Sequence, residues 1–170
     1  MSELTDFRKA KDAFFKSDPQ SPLEAEQRRS FKGLSYFPEN PALRLDLDLE
    51  RVGKPDQVIL PTSTGDEQVY FHVGQVTFKV GMEPAALQVY VSASGGDYFI
   101  PFVDRTAPAE TYGAGRYLEP EDLGGGRLRL DFNRAYNPYC AYNDRWSCPL
   151  PPGANRLSVR IEAGERKFHD

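Results

Sequence analysis

The chain has 170 residues, a formal net charge of −4 and a pI near 5.3. At that length one domain buries roughly two thirds of its unfolded surface and needs no disulfide or metal to be stable. The acidic balance excludes a nucleic-acid binder, which relies on a basic surface to displace counterions from phosphate.

Two helices are predicted at the start. In SELTDFRKAKDAFFKSD, Leu4, Phe7, Ala10 and Phe14 recur at three- and four-residue steps and leave Arg8, Lys9, Lys11, Asp12 and Lys16 for water. SPLEAEQRRSFKG follows as a short second helix, with Ser21 and Glu24 as a capping box, Pro22 in the first turn and Gly33 as a left-handed C-terminal cap. Its apolar residues, Leu23, Ala25 and Phe31, are too few to form a core, so the pair is expected to lie on a larger body.

That body reads as β. LRLDLDLE alternates strictly, with Leu43, Leu45, Leu47 and Leu49 on one face and charges on the other. QVILP, QVYFHVG, QVTFKVG, LQVYVSA and DYFIPFV follow, each ended by Gly, Pro or a charged turn. In QVYFHVG the alternation assigns Val69, Phe71 and Val73 to the core and Tyr70, His72 and Gly74 to the other face. TYGAGRYL, then RLRLDF after the turn EPEDLGGG, and NRLSVRIEA bring the expected count to about nine strands. Between residues 43 and 131 no connecting segment is long enough for a parallel crossover. The fold class is therefore mainly β: an antiparallel meander forming a small barrel or a two-layer sandwich, preceded by two N-terminal helices. A single domain is expected, with residues 1–33 as a helical segment packed on a β body spanning 40–165.

The first residues, MSELTDFRKAKDAFF, carry charges where a signal peptide needs an apolar run, and no window approaches the ~20 apolar residues of a membrane span. Only Cys140 and Cys148 occur, far from the density of a disulfide framework. These features predict a soluble, cytoplasmic protein with reduced thiols, no membrane partner and no nucleic-acid partner.

Residues 131–156, DFNRAYNPYCAYNDRWSCPLPPGANR, match neither period. Pro138, Pro149, Pro151 and Pro152 stiffen the segment, Tyr136, Tyr139, Tyr142 and Trp146 give it flat surfaces with polar tips, and Asn133, Asn137 and Asn143 can satisfy loop backbone or ligand groups. Such a loop is either a plug for the β body or one wall of a pocket. Together with FIPFVDRTAPAETYGAGRYL, CPLPPGANRL and IEAGE, its DFNRAYNPYCAY motif resembles an uncharacterised bacterial and archaeal family, domain of unknown function 1684. The resemblance extends over nearly the whole chain, from the N-terminal helix through SPLEAEQRRSFKGLSYFPENP to Glu165. It implies no reaction, substrate or cofactor, and so no catalytic residues.

The residues themselves offer few reactive constellations. Seven residues separate Cys140 from Cys148, too many for a C-x-x-C motif, and no further pair completes a metal site, so neither metal nor cofactor is expected. Two half-buried thiols are expected, with a disulfide across the nine-residue loop as the oxidised alternative. His72 is read as a solvent-facing or pocket-lining residue rather than a catalytic base. Gly113 and Gly115 mark a bulge or a close approach of another backbone or a ligand, which draws attention to Arg116: either a salt bridge to Asp104, Asp131 or Glu162, or a fork for an anion. The leading expectation is a small polar or anionic ligand beside the 131–156 loop, contacted by Tyr112, Arg116, Asn133, Tyr136, Asn137 and Arg156. The alternatives are a structural or interaction domain, including a homo-oligomer, and a metal-independent hydrolase or proton-transfer enzyme with Asp104 or Asp131 as base.

Overall fold

The alternating leucines do what a half-buried strand requires. In the computed structural model, which describes residues 2–169, β1 (Arg44–Asp48) turns Leu45 and Leu47 inward between the buried Leu43 and Leu49 and leaves Arg44, Asp46 and Asp48 exposed. β1 pairs antiparallel with β8 (Arg127–Asp131), which pairs with β7 (Glu121–Gly124). At Leu49 the chain leaves this three-stranded sheet and enters β2 (Glu50–Pro61). That strand opens a five-stranded antiparallel sheet with β3 (Glu67–Val80), β4 (Glu83–Ser92), β5 (Tyr98–Phe102) and β6 (Arg116–Leu118), in the order β2-β3-β4-β5-β6. Leu87, Val89, Ile100 and Phe102 from one sheet and Leu128 and Leu130 from the other share a single core with Phe132. Each such side chain contributes about 1.5–3 kcal/mol by leaving water. The architecture is a two-sheet sandwich rather than a closed barrel. No helix among the described residues is long and apolar enough to cross a membrane.

Among the described residues eight strands form where about nine were expected, and each difference has a local cause. QVYFHVG and QVTFKVG are one strand because Gly74 is a bulge, not a turn: the β3–β4 register shifts between His72 and Gly74. A Cβ at 74 would lie 2.5 Å from the Glu50 carbonyl oxygen, so only glycine lets β2 pass so close. A bulge reverses the facing of the residues beyond it. Val76 and Phe78 consequently enter the core, while Val69, read from the alternation as a core residue, is exposed. Within EPEDLGGG, Glu121–Gly124 forms β7 and only the glycines, at positive φ, make the turn. TYGAGRYL is a strand only over Arg116–Leu118.

At the N-terminus α1 (Glu3–Ser17) starts at Ser2, whose Oγ accepts from the Thr5 N–H at 3.1 Å. α2 (Ala25–Ser30) starts one turn later than the sequence suggests: its capping box is Glu24 with Gln27. Ser21 instead donates to the Phe15 carbonyl at 2.7 Å and accepts from the Leu23 N–H, closing the turn between the helices. α2 ends at Phe31, and Gly33 (φ 133°) sits against the Asp12 carboxylate rather than capping it. The face that α1 lays on the body is also not the predicted one. Leu4 and Phe15 are buried, and Arg8, Lys11 and Asp12 turn inward with them, reaching the Asn133 carbonyl, the Glu165 carboxylate and the Leu34 N–H.

The segment after Arg156 keeps the predicted alternation, with Val159, Ile161 and Ala163 buried and Ser158, Arg160 and Glu162 exposed, yet it is not a strand. Its start pairs through backbone with Val103 and Arg105, and from Ile161 onward side chains supply several of the hydrogen bonds a neighbouring strand would make. Arg116, 1% exposed, donates through Nη1 to the carbonyls of Ala163 and Glu165 and through Nη2 to that of Ile161 at 3.0 Å. Nη2 also meets Asp104 Oδ1 at 3.2 Å. Asp104 Oδ2 accepts from the Ile161 N–H at 2.7 Å and from the Thr106 N–H and hydroxyl. Just before Arg116, Gly115 (φ 104°) packs where a Cβ would be 2.5 Å from the Phe102 carbonyl oxygen, the close backbone approach that its position in the sequence suggested.

Removing one member of a buried ion pair strands the other in low dielectric. Arg116→Met is therefore expected to lower the unfolding free energy by about 3–5 kcal/mol in urea titrations. Arg116→Lys is expected to recover little of it, because an ammonium cannot serve three carbonyls and a carboxylate as a planar fork does.

Candidate functional site

The loop between β8 and the C-terminal segment folds as three short 3-10 turns, Phe132–Arg134, Tyr139–Ala141 and Gly153–Asn155. Its inner side is a plug: Phe132, Ala135 and Tyr142 are buried, and Tyr142 meets Phe15 of α1 edge-on at 5.0 Å between centroids. Its asparagines splice distant backbone. Asn133 accepts from the Asn40 N–H at 2.8 Å and donates to the Asn40 carbonyl at 3.0 Å. Asn155 does the same to Gln88 and also donates to the Pro101 carbonyl. Asn137 donates to the Arg166 carbonyl at 3.0 Å. Glu165, 2% exposed, ties these parts to α1: its carboxylate accepts from Lys11, from the Tyr142 hydroxyl at 2.6 Å and from the Asn137 N–H.

The outer side of the same loop is a wall. Between it and α1 runs a groove of about 690 Å³, lined by Phe7, Ala10 and Phe14 on the helix and by Tyr136, Tyr139 and Trp146 on the loop, with Tyr117 and Cys148 deeper in. Most of the lining is aromatic. Lys11 and Glu119 supply charge at its edge, and the Tyr136 hydroxyl donates to Glu119. Burial, and then the contact with Glu119, push the Tyr136 phenol up, so it keeps its proton and remains a donor. A second, polar cavity of about 630 Å³ shares Phe7, Glu119 and Tyr136 as a common wall and is lined further by Arg44, Arg129 and Arg134 among acidic side chains.

Of the six residues expected to surround one ligand, only Tyr136 lines the groove. Arg116 is sealed inside the protein with both Nη atoms occupied, so the salt-bridge reading of that residue, with Asp104, describes the structure and the anion fork does not. Asn133 and Asn137 are buried and bond to backbone through their amide groups, the Asn137 Oδ1 being left without a partner. Arg156 is exposed and bridges Val103 through its backbone. Tyr112 is half-buried and reaches the thiols instead. Neither aspartate is a free base: both oxygens of Asp104 are occupied, and Asp131 accepts from Asn133 and lies 3.8 Å from Arg134. His72 contacts Gln88 at 2.7 Å on the sheet surface. The groove residues of α1 escaped the sequence reading because Phe7, Ala10 and Phe14 form an apolar stripe that looks core-directed. The pattern shows that the stripe is apolar, not that the loop stops short of covering it.

Behind the groove the two thiols meet. Cys140 and Cys148 are free and buried, and the Cys140 N–H donates to Cys148 Sγ at 3.3 Å. The Tyr112 hydroxyl donates to Cys140 Sγ at 3.5 Å. Around them pack Phe99, Tyr117, Tyr136 and Trp146. The hydrogen bond from the Cys148 thiol, helped by Tyr112, brings Cys140 down to about 6, against the opposing effect of burial. The same contact, with burial, pushes Cys148 up. Burial also raises the Tyr112 phenol, which keeps it protonated and donating. The pair thus gives up one proton easily and holds the second.

The family profile described as "Protein of unknown function (DUF1684)" matches residues 29–166. A solution NMR structure of an uncharacterized protein of Haloarcula marismortui is 40% identical, covers 96% of this chain and 92% of its own, and superposes with a TM-score of 0.74. No curated protein matches the chain.

The thiol pair can be titrated directly. Thiolate ultraviolet absorbance is expected to rise by one thiolate per chain with a midpoint at about 6. Tyr112→Phe is expected to move that midpoint upward, because it removes a donor that stabilises the charged form.

Proposed function

This chain belongs to the DUF1684 family of proteins of unknown function, and within that family we propose that it is a binding module for a small molecule held beside the 131–156 loop. The observation that carries this reading is the groove between α1 and the loop. Its volume of about 690 Å³ lies inside the range of roughly 300–1,000 Å³ of small-molecule sites, and its walls come from elements already fixed elsewhere in the fold. Glu165 locks both sides, Lys11 of the helix and Tyr142 and Asn137 of the loop, so the groove needs little reorganisation on binding.

The lining sets the ligand class. Phe7, Phe14, Tyr136, Tyr139 and Trp146 favour a flat apolar body. The anionic character expected from Arg116 has no support there, since that guanidinium is sealed; the Lys11 ammonium at the groove edge, 5.0 Å above the Tyr136 ring, is the cation that an anionic substituent would meet. The reading takes the protein as cytoplasmic with both thiols reduced.

Trp146 is the single tryptophan and lines the groove, so it reports occupancy. Nitrobenzoate, an aromatic carboxylate and a quencher, is expected to quench it saturably with one site per chain. Ala10→Gln places a longer, helix-compatible side chain at an exposed groove position. It is expected to weaken that binding roughly tenfold, a difference of about 1.4 kcal/mol, with the melting temperature unchanged. Quenching that never saturates, or that the Ala10 variant leaves untouched, overturns the reading.

A further inference from the structure

We propose that Cys140 and Cys148 form a thiol–disulfide exchange site whose substrate is a small organic disulfide entering by the aromatic groove. The proposal rests on the groove reading only for the route of entry. Three structural observations carry it. The sulfur of Cys148 already lies 3.3 Å from the Cys140 amide nitrogen, so the two side chains are neighbours although seven residues separate them. Cys148 lines the groove, while Cys140 stands behind it under the Tyr112 hydroxyl. The turn between them is held in place, the Asn143 amide and the Trp146 indole donating to the Pro22 carbonyl at 2.7 and 3.1 Å, so the two sulfurs keep their mutual placement. On the far side Cys148 is anchored: its N–H donates to Ser63 Oγ at 3.1 Å and its carbonyl accepts from the Ser63 N–H at 2.9 Å.

The chemistry balances without a cofactor. The pair starts with one proton shared between two sulfurs, a state that the low first ionisation supports. Cys148 Sγ attacks one sulfur of a disulfide RSSR lying in the groove; its proton passes to Cys140 Sγ, and RS⁻ leaves. Cys140 then gives up that proton to the departing thiolate and attacks Cys148 Sγ. The second RS⁻ leaves and the internal disulfide closes. One thiol, one thiolate and RSSR become a protein disulfide, RSH and RS⁻: the protein sulfurs are oxidised by two electrons, and the small disulfide is reduced by two. Run backward, the same site passes oxidising equivalents to small thiols. The nine-residue span is short enough that the internal link competes well with the mixed disulfide.

Dithiobis-nitrobenzoate, an aromatic disulfide, separates the outcomes. The native protein is expected to release two equivalents of thionitrobenzoate per chain and to end two hydrogens lighter by mass, with no adduct. Cys140→Ser is expected to release one equivalent and keep one adduct on Cys148, because nothing resolves it. Cys148→Ser is expected to react at least roughly tenfold more slowly, its remaining thiol lying behind the groove. An unmodified sequence that keeps stable adducts without an internal link overturns the proposal. So does a Cys148 variant that reacts as fast as the Cys140 variant. The native-protein mass does not depend on how either variant folds. Repeating it with dihydroxyethyl disulfide, which has no ring, keeps the two ideas apart: closure with this reagent and no nitrobenzoate binding would sink the groove reading alone, whereas binding without closure by either reagent sinks the exchange site alone.

Discussion

Arg116 and Asp104 hold this fold together from the inside. A guanidinium at 1% exposure needs its charge met and most of its donors paired; here one carboxylate and three main-chain carbonyls of the C-terminal segment take both Nη atoms, and only Nε is left without a partner. The exchange is mutual. The segment from Ile161 to Glu165 lies beside no named strand, and without these two side chains the carbonyls of Ile161, Ala163 and Glu165 and the Ile161 N–H would lose these partners. Its alternation is thus that of a strand, but side chains supply several of its hydrogen bonds, at Ile161, Ala163 and Glu165.

From that segment the order passes outward through Glu165. The backbone of this residue is held by Arg116 and Ala135, and its carboxylate gathers Lys11, Tyr142 and Asn137. Helix, loop and C-terminus therefore take their positions from one buried acid. This explains how α1 can leave Phe7, Ala10 and Phe14 partly uncovered. Its attachment comes from Leu4, Phe15 and the charged residues between them, so its apolar stripe is free to be a wall. The proline-stiffened loop is both of the things its composition allowed, a plug on its inner side and a wall on its outer side.

The thiols gain their character from the same packing. Aromatic side chains from β5, β6 and the loop enclose them, which disfavours charge, yet a hydroxyl and a neighbouring thiol are aimed at one sulfur, which favours it. Placed at the back of an open groove, the pair is the one part of the site with evident reactivity; the carboxylates that could act as bases are committed to structure.

What the sequence by itself determined was everything that depends on period and local sterics. The leucine alternation of β1, the close approach at Gly115, the two helices and the antiparallel β body, though not whether it closes as a barrel or stays a two-layer sandwich, could all be read from neighbours within a few positions. The signature motifs pointed to the family in the same way. Tertiary structure alone decided what those faces meet. Gly74 reads as a strand end until β2 is seen pressed against it, and the bulge then reverses the facing of half a strand. Arg116 reads equally as an anion fork or a salt bridge until the C-terminal carbonyls close around it. The outer stripe of α1 and the nearness of Cys148 to Cys140 depend on residues more than a hundred positions apart in one case and on the path of a single turn in the other. Periodicity reports which way a side chain points; it carries no information about the partner, because that partner is chosen by the whole fold.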